Sequence, residues 1–225
     1  MNLLKSKARA FFLSFIPLYI FAHFSHHIMT ALITPLLPFM RNEYSLNYTK
    51  AGFVVSAFTL SYGLGQLPAG WVADRLSSRT VITIGITGVG LAGALAGLSQ
   101  NYTILVMCLV LMGLAGGGYH PSAAPLISSS VEKRNQGKAL GLHVIGGSAS
   151  HFLSPLVGVG IASLLGWRGA FLGLSIPVSI FGVVFYILLG KRNKKASHGL
   201  KTDVKRQREE TEIEALSSNP VKLLA

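Results

Sequence analysis

The sequence predicts an all-α polytopic membrane protein with six crossings, and three observations carry that prediction. Mean hydropathy is +0.51. Charged residues make up only 12% of the chain, where soluble domains carry about a quarter. Asp, Glu, Lys and Arg are absent from five long stretches, 10–40, 51–73, 80–131, 139–167 and 169–190. Crossing a bilayer takes about 20 mostly apolar residues per helix, so the third stretch is long enough for two. It divides at Ser99-Gln-Asn-Tyr-Thr103, the one polar cluster there able to form an exposed turn.

The spans are expected at about 11–40, 51–72, 80–99, 104–130, 139–165 and 169–189. The first is too long for a signal-peptide core, and no small-residue cleavage pattern follows it. Positively charged loops stay on the cytoplasmic side. Lys5, Lys7 and Arg9, Arg75 and Arg79, Lys133, Arg134 and Lys138, and nine bases in the tail give 17 on one side, against Arg41, Lys50 and Arg168 on the other. Both termini are therefore expected in the cytoplasm, and an even number of crossings in the cell membrane independently requires that they share a side. The net charge of +12 does not indicate nucleic acid, because the bases sit between apolar runs and in the tail rather than along one face. Cys108 has no partner for a disulfide or a cysteine-based metal site. Asn47-Tyr-Thr49 and Asn101-Tyr-Thr103 match the glycosylation pattern on short loops and are given no role.

Span 1 carries Tyr19, His23, His26, His27, Thr30 and Thr34 within roughly 60° of one line. Three histidines are costly in hydrocarbon, and such groups face a bundle interior or a water cavity; the plainer alternative is that neighbouring carbonyls merely satisfy them. Span 2 has a weaker stripe of Gly52, Ser56, Thr59, Gly63 and Gln66, read as packing. Span 3, rich in Gly and Ala, reads as lipid-facing or packing material. On span 4, Gly113, Gly117, His120 and Ala124 share a face that permits near approach by a neighbour, and Pro121 should kink the helix. Span 5 aligns His143, Gly147, Ser150, His151, Ser154 and Gly158, with Pro155 expected to bend it. Span 6 is almost wholly Leu, Ile, Val, Phe and Gly and is expected at the periphery. The six histidines are the groups in these spans that titrate near physiological pH. His23, His26, His27, Thr30, His120, His143, Ser150 and His151 are thus the candidate substrate or proton cavity.

The loop Gly70-Trp-Val-Ala-Asp-Arg-Leu-Ser-Ser-Arg79 resembles the signature between the second and third helices of the major facilitator superfamily, Gly-x-x-x-Asp-Arg-x-Gly-Arg-Arg, at Gly70, Asp74, Arg75 and Arg79. Ser77 and Thr80 stand where the family has a glycine and a final base. The resemblance implies a conformational latch at Asp74 and Arg75. It is nearest to the fosmidomycin-resistance type of drug exporter, on His23, Tyr119-His120-Pro121 and Val144-Ile-Gly-Gly147, with His27 where that group tends to carry Asp. Gly141, Ser150, Ser154, Pro155 and Gly158 partly resemble the antiporter signature Gly-x8-Gly-x3-Gly-Pro-x2-Gly. Leu109 stands where many drug/proton antiporters have arginine.

The resemblance implies one half of a carrier whose two six-helix halves rock about a midplane site, each half being two inverted three-helix repeats. Residues 1–190 would be the N-terminal half. Residues 191–225 would be a basic cytoplasmic linker, with i,i+4 pairs Arg206/Glu210 and Arg208/Glu212 suited to a surface helix and Asn219–Ala225 as the first turn of a seventh helix. The expected function is export of a small molecule in exchange for protons, inactive without the C-terminal half. The alternatives are a half-size carrier pairing with a second copy and a membrane-embedded binding or scaffold protein. No cofactor is implied. An enzyme is the least supported class, because no nucleophile–base set or metal-ligand spacing is present; histidines on three spans would meet as a metal site only through the fold.

Overall fold

The computed structural model describes residues 15–217, with side chains through residue 191. It is helical, and among the described residues there is no strand. The order is α1 (Ile16–Thr30), α2 (Ile33–Glu43), α3 (Tyr48–Leu76), α4 (Ser78–Gly97), α5 (Tyr102–Gly116), α6 (Tyr119–Ser128), a 3-10 turn (Lys133–Asn135) and α7 (Gln136–Ser217). Residues 1–186 form one compact unit and 187–225 a second; the site described below lies in the first. Side chains of the expected linker pairs, and residues 219–225, lie outside the described residues.

Local chemistry explains the boundaries. The side-chain oxygens of Asn47 and Asn101 accept from the backbone N–H of Lys50 (2.9 Å) and Ile104 (3.0 Å), so both Asn-Tyr-Thr triplets start helices. This gives them the role that the sequence left open. Span 1 is two helices meeting at Ala31–Leu32, and span 4 is two meeting at Gly117–Gly118. The second break falls before Pro121, which occupies the first turn of α6, where its missing N–H costs nothing. Spans 5 and 6 run as one helical segment that turns at Gly166, whose φ of 70° and ψ of 168° suit glycine. Pro155 lies inside the segment without breaking it.

By length and apolarity four segments can cross a membrane: Ile16–Glu43, Ser78–Gly97, Tyr102–Ser128 and Lys133–Lys191. The count differs from six for two reasons. The last segment joins two expected spans across Gly166, and α3, although 29 residues long, dilutes its charge-free run with Ser, Thr, Tyr, Gln and Gly, which lower its apolarity.

Packing depends on missing side chains. A Cβ on Gly117 would meet the backbone of Gly65 and Gln66 at 2.6 to 2.8 Å, and one on Gly65 would meet the Leu114 carbonyl oxygen at 2.8 Å. Thus α3 and α5 touch backbone to backbone, a small-residue seam like those of membrane helices generally. The stripe assigned to α3 was out of phase: Gly52, Ser56, Thr59 and Gly63 are exposed, while Ala57, Ser61, Gly65, Ala69 and Ala73 are buried. Small residues occur on both faces, so composition alone did not phase the helix. Helix α4 is packing material as expected; ten of its residues are buried, among them Gly85, Gly90, Gly93 and Gly97.

Candidate functional site

Residues three, four and seven apart lie on one face of a helix, and on α1 this brings Tyr19, His23, His26, His27 and Thr30 together. All are buried except His27, which is half-buried. Thr34 is exposed, because the break at Ala31–Leu32 ends the phase that the sequence extended through it. Facing this strip are His120 with Tyr119 from α6, His143 and His151 from α7, and Tyr62 from α3. All six predicted histidines join one cluster.

The rings hold one another. His23 and His143 stack at 4.1 Å between centroids and 11° between planes. His23 Nδ1 lies 2.9 Å from the His143 carbonyl oxygen, and His143 Nδ1 lies 3.0 Å from that of Tyr19. A carbonyl only accepts, so in both rings Nδ1 carries the proton and donates. The result is a reciprocal staple between α1 and α7 that leaves Nε2 of His23 with its lone pair. His26 stacks on Tyr119 at 4.4 Å and places Nε2 3.1 Å from the Tyr62 hydroxyl. His27 Nδ1 is 3.1 Å from Thr30 Oγ1, and its Nε2 is 3.2 Å from His120 Nε2. His151 is exposed, its ring 4.8 Å from that of His27. Tyr119 is fully buried, and its hydroxyl has no partner among the described residues.

Glycine makes the room. A Cβ on Gly147 would meet the His23 ring at 2.6 to 3.0 Å, so only glycine there lets that ring lie against α7. Ser150 and Ser154, both fully buried, belong to the packing seam: Ser150 donates to the Gly147 carbonyl at 2.6 Å and Ser154 to that of Ile28 at 3.0 Å. Gly158 packs on the Leu32 side chain, Pro155 is exposed, and Gly141 has open space around it.

Ligand-type spacing is absent from the sequence, where histidines on separate spans could meet only through the fold; the fold gathers His23, His27 and His120 so that one ring nitrogen from each lies within 4.8 Å of the others. Residues from α1 and α6 are 93 positions apart at their closest contact, so no local spacing could show it. Tyr62 was missed as well, because the stripe drawn on α3 was rotated past it.

The loop motif sits apart from the cluster. Asp74 is exposed and has no ion pair among the described residues. The Arg75 guanidinium covers the Trp71 ring at 3.8 Å. Arg79 donates twice to the Tyr186 carbonyl, at 2.7 and 3.0 Å, and lies 3.7 Å over that tyrosine's ring. Gly70 has open space around it. Ser77 adopts φ 132°, ψ 146°, a region L-residues rarely occupy, at the position where the resemblance expected glycine.

A second polar cluster was not singled out in the sequence. Arg168 pairs with Glu43, donates to the Tyr44 hydroxyl at 2.8 Å and donates to the Ser99 carbonyl at 2.7 and 3.2 Å. Trp167 adds a bond to Glu43 at 2.6 Å. It ties the ends of α2 and α4 to the Gly166 turn. The available signal was a Trp-Arg pair at the end of an apolar run, and only the fold supplied the acid.

A family model described as Major Facilitator Superfamily matches residues 19–225. The chain is 26% identical over 153 residues to a probable L-galactonate transporter of Escherichia coli K12, covering 68% of this chain and 34% of that protein. It is 30% identical over 171 residues to a puromycin resistance protein of Streptomyces alboniger, covering 75% and 33%. The chain therefore spans about a third of the length of these relatives. Among solved structures, a bacterial homolog of the human lysosomal transporter Spinster, inward-facing and occupied, superposes with a TM-score of 0.70 at 17% identity, over 80% of this chain and 44% of that one. That likeness is one of fold.

Proposed function

The chain belongs to the major facilitator superfamily, and on that premise we propose that it forms the N-terminal half of a secondary carrier that exports a small molecule in exchange for protons. The observation that supports this reading best is the meeting of six histidines, Tyr62 and Tyr119, all of them drawn from runs of sequence that hold no Asp, Glu, Lys or Arg. Polar groups that are expensive in the bilayer are kept where they meet a transported species. His23, His27, His120 and His151 contact the cargo; Thr30 orients His27, and the reciprocal staple with His143 orients His23. His26, bonded to Tyr62, backs the cavity wall.

The other half is a second six-helix unit, in keeping with the share of its relatives' length that this chain spans. Two such units rock about a midplane site in carriers of this architecture. Both termini lie in the cytoplasm, and exposed Asp74 and Arg75 are placed to latch the two units. Serines at 150 and 154 let α7 lie against α1 as the resembled antiporter motif does with glycine. The cargo is an amphipathic small molecule bearing hydrogen-bond acceptors, in line with relatives named for a sugar-acid transporter and for antibiotic resistance.

The test expresses the chain with its second six-helix unit in cells and measures drug tolerance and intracellular accumulation. His120→Ala and His23→Ala should each lower export by about tenfold, the equivalent of one lost polar contact of about 1.4 kcal/mol, at unchanged membrane abundance. Wild-type export by both variants would overturn the assignment of the site. In vesicles, collapse of the pH gradient should stop transport; transport that persists would remove protons as the driving ion.

A further inference from the structure

We propose that His23, His27 and His120 form a three-imidazole site for a divalent transition-metal ion, with a fourth position left open. Imidazole nitrogens held about 2.0–2.1 Å from a tetrahedral ion lie about 3.3 Å from one another. His27 Nε2 and His120 Nε2 are 3.2 Å apart, so this edge of the tetrahedron is already formed. A His23 ring nitrogen completes a set lying within 4.8 Å, and the third imidazole closes the remaining gap on binding.

The surroundings are those that ligating histidines require. Such a histidine almost always donates its other ring N–H to a carbonyl, carboxylate or water, which fixes the tautomer and aims the free nitrogen. His23 donates Nδ1–H to the His143 carbonyl at 2.9 Å, leaving Nε2 as the lone-pair nitrogen. His27 has Nδ1 held at 3.1 Å by Thr30 Oγ1, a hydroxyl able to accept. Gly147 leaves the space into which the His23 ring fits. Thr30 thus holds the His27 ring with Nε2 at His120 Nε2, and the bond to the His143 carbonyl fixes the tautomer of His23.

Donor type sets the class of ion. Neutral imidazole suits Zn, Co, Ni and Cu, whereas Mg and Ca select oxygen. Among the residues with described side chains, through residue 191, the acids are Glu43, Asp74 and Glu132, all at helix ends or in loops, so none of them supplies a ligand here. Three neutral donors leave the double positive charge uncompensated in a low-dielectric setting, and an anion on the open position balances it. The ion's role as cargo or as part of a cargo chelate rests on the carrier reading; its binding does not.

The experiment uses the full 225-residue chain, free of any affinity tag, in detergent, with Co²⁺ as an optical probe and Mg²⁺ as the control. One Co²⁺ per chain should bind with the visible absorption of a low-coordinate nitrogen site, and Zn²⁺ should displace it. His27→Ala and His120→Ala should abolish that absorption. Thr30→Val should weaken binding by about tenfold or more, the usual loss when a ligand's orienting partner is removed. His198→Ala, which removes the histidine outside the cluster, should change nothing. Because a ligand variant could fail to fold, X-ray absorption on the unaltered chain supplies an independent reading: about three imidazole nitrogens at about 2.0–2.1 Å. An oxygen-only shell, no bound Co²⁺, or binding lost in His198→Ala and kept in His120→Ala would each overturn the metal site. Loss of the metal site together with histidine-dependent export would leave the carrier reading standing; loss of both would remove both.

Discussion

The histidine seam between α1, α6 and α7 is built from imidazoles, hydroxyls and backbone carbonyls without a carboxylate, whereas the cluster of Glu43, Trp167 and Arg168 is an ion pair reinforced by an indole. The difference follows position. Side chains of Arg168 and Glu43 remain 31% and 44% exposed, and water at the helix ends lets full charges exist at low cost. His23 and His26 are buried at 6% and 0% exposure, where an unpaired charge would be expensive. Groups that are polar when neutral take the place of charges in the interior. The ends therefore hold the helices by charge, and the interior holds them by stacking and close backbone approach.

That contrast can be broken most severely at the backbone seam. Gly117→Ala places a Cβ against backbone atoms of Gly65 and Gln66 that have no rotamer to escape into. The expected loss is about 1–3 kcal/mol, the usual cost of overpacking, read as a lower midpoint in thermal unfolding of the purified chain in detergent. An unchanged midpoint would mean that α3 and α5 do not meet there.

The end cluster should respond less and in a salt-dependent way. Arg168→Ala removes the Glu43 pair and the bonds to Tyr44 and Ser99, for about 1 kcal/mol given its partial exposure. Added salt should shrink the gap between variant and parent. A gap that stays constant in salt would show that packing around Trp167, rather than charge, holds these ends.

An effect of similar size has the opposite sign. Ser77 holds φ 132° while its hydroxyl caps the Thr80 N–H at 3.2 Å. Ser77→Gly relieves backbone strain of about 1–3 kcal/mol and forfeits a cap worth only a few tenths when glycine is the replacement. A net gain of about 1 kcal/mol is expected in the same unfolding assay. A loss would mean that the hydroxyl contributes more than the strain costs.

Much of the helical frame was legible because its causes are local. Charge-free runs located the helices, and Ser99-Gln-Asn-Tyr-Thr103 divided α4 from α5 where Asn101 caps the new helix. The face of α1 was legible through Thr30, because an unbroken helix has fixed phase. Thr34 was misplaced once the helix broke. Helix α3 was phased wrongly, since small and polar residues on both faces gave no contrast. For the site, the sequence supplied the six histidines that gather in one cluster. It contained nothing about Tyr62, about Glu43 meeting Arg168, or about which ring nitrogens face each other.

The sequence by itself determined a multi-pass helical membrane protein of the major facilitator superfamily, because hydropathy, charge placement and a loop motif are properties of neighbouring residues. Only the tertiary structure decided that His23, His27 and His120 share one point in space and that Gly147 opens the place for it. Those contacts join helices separated by tens of residues. Their geometry is set by how closely backbones pack, a quantity that no periodicity in the chain records.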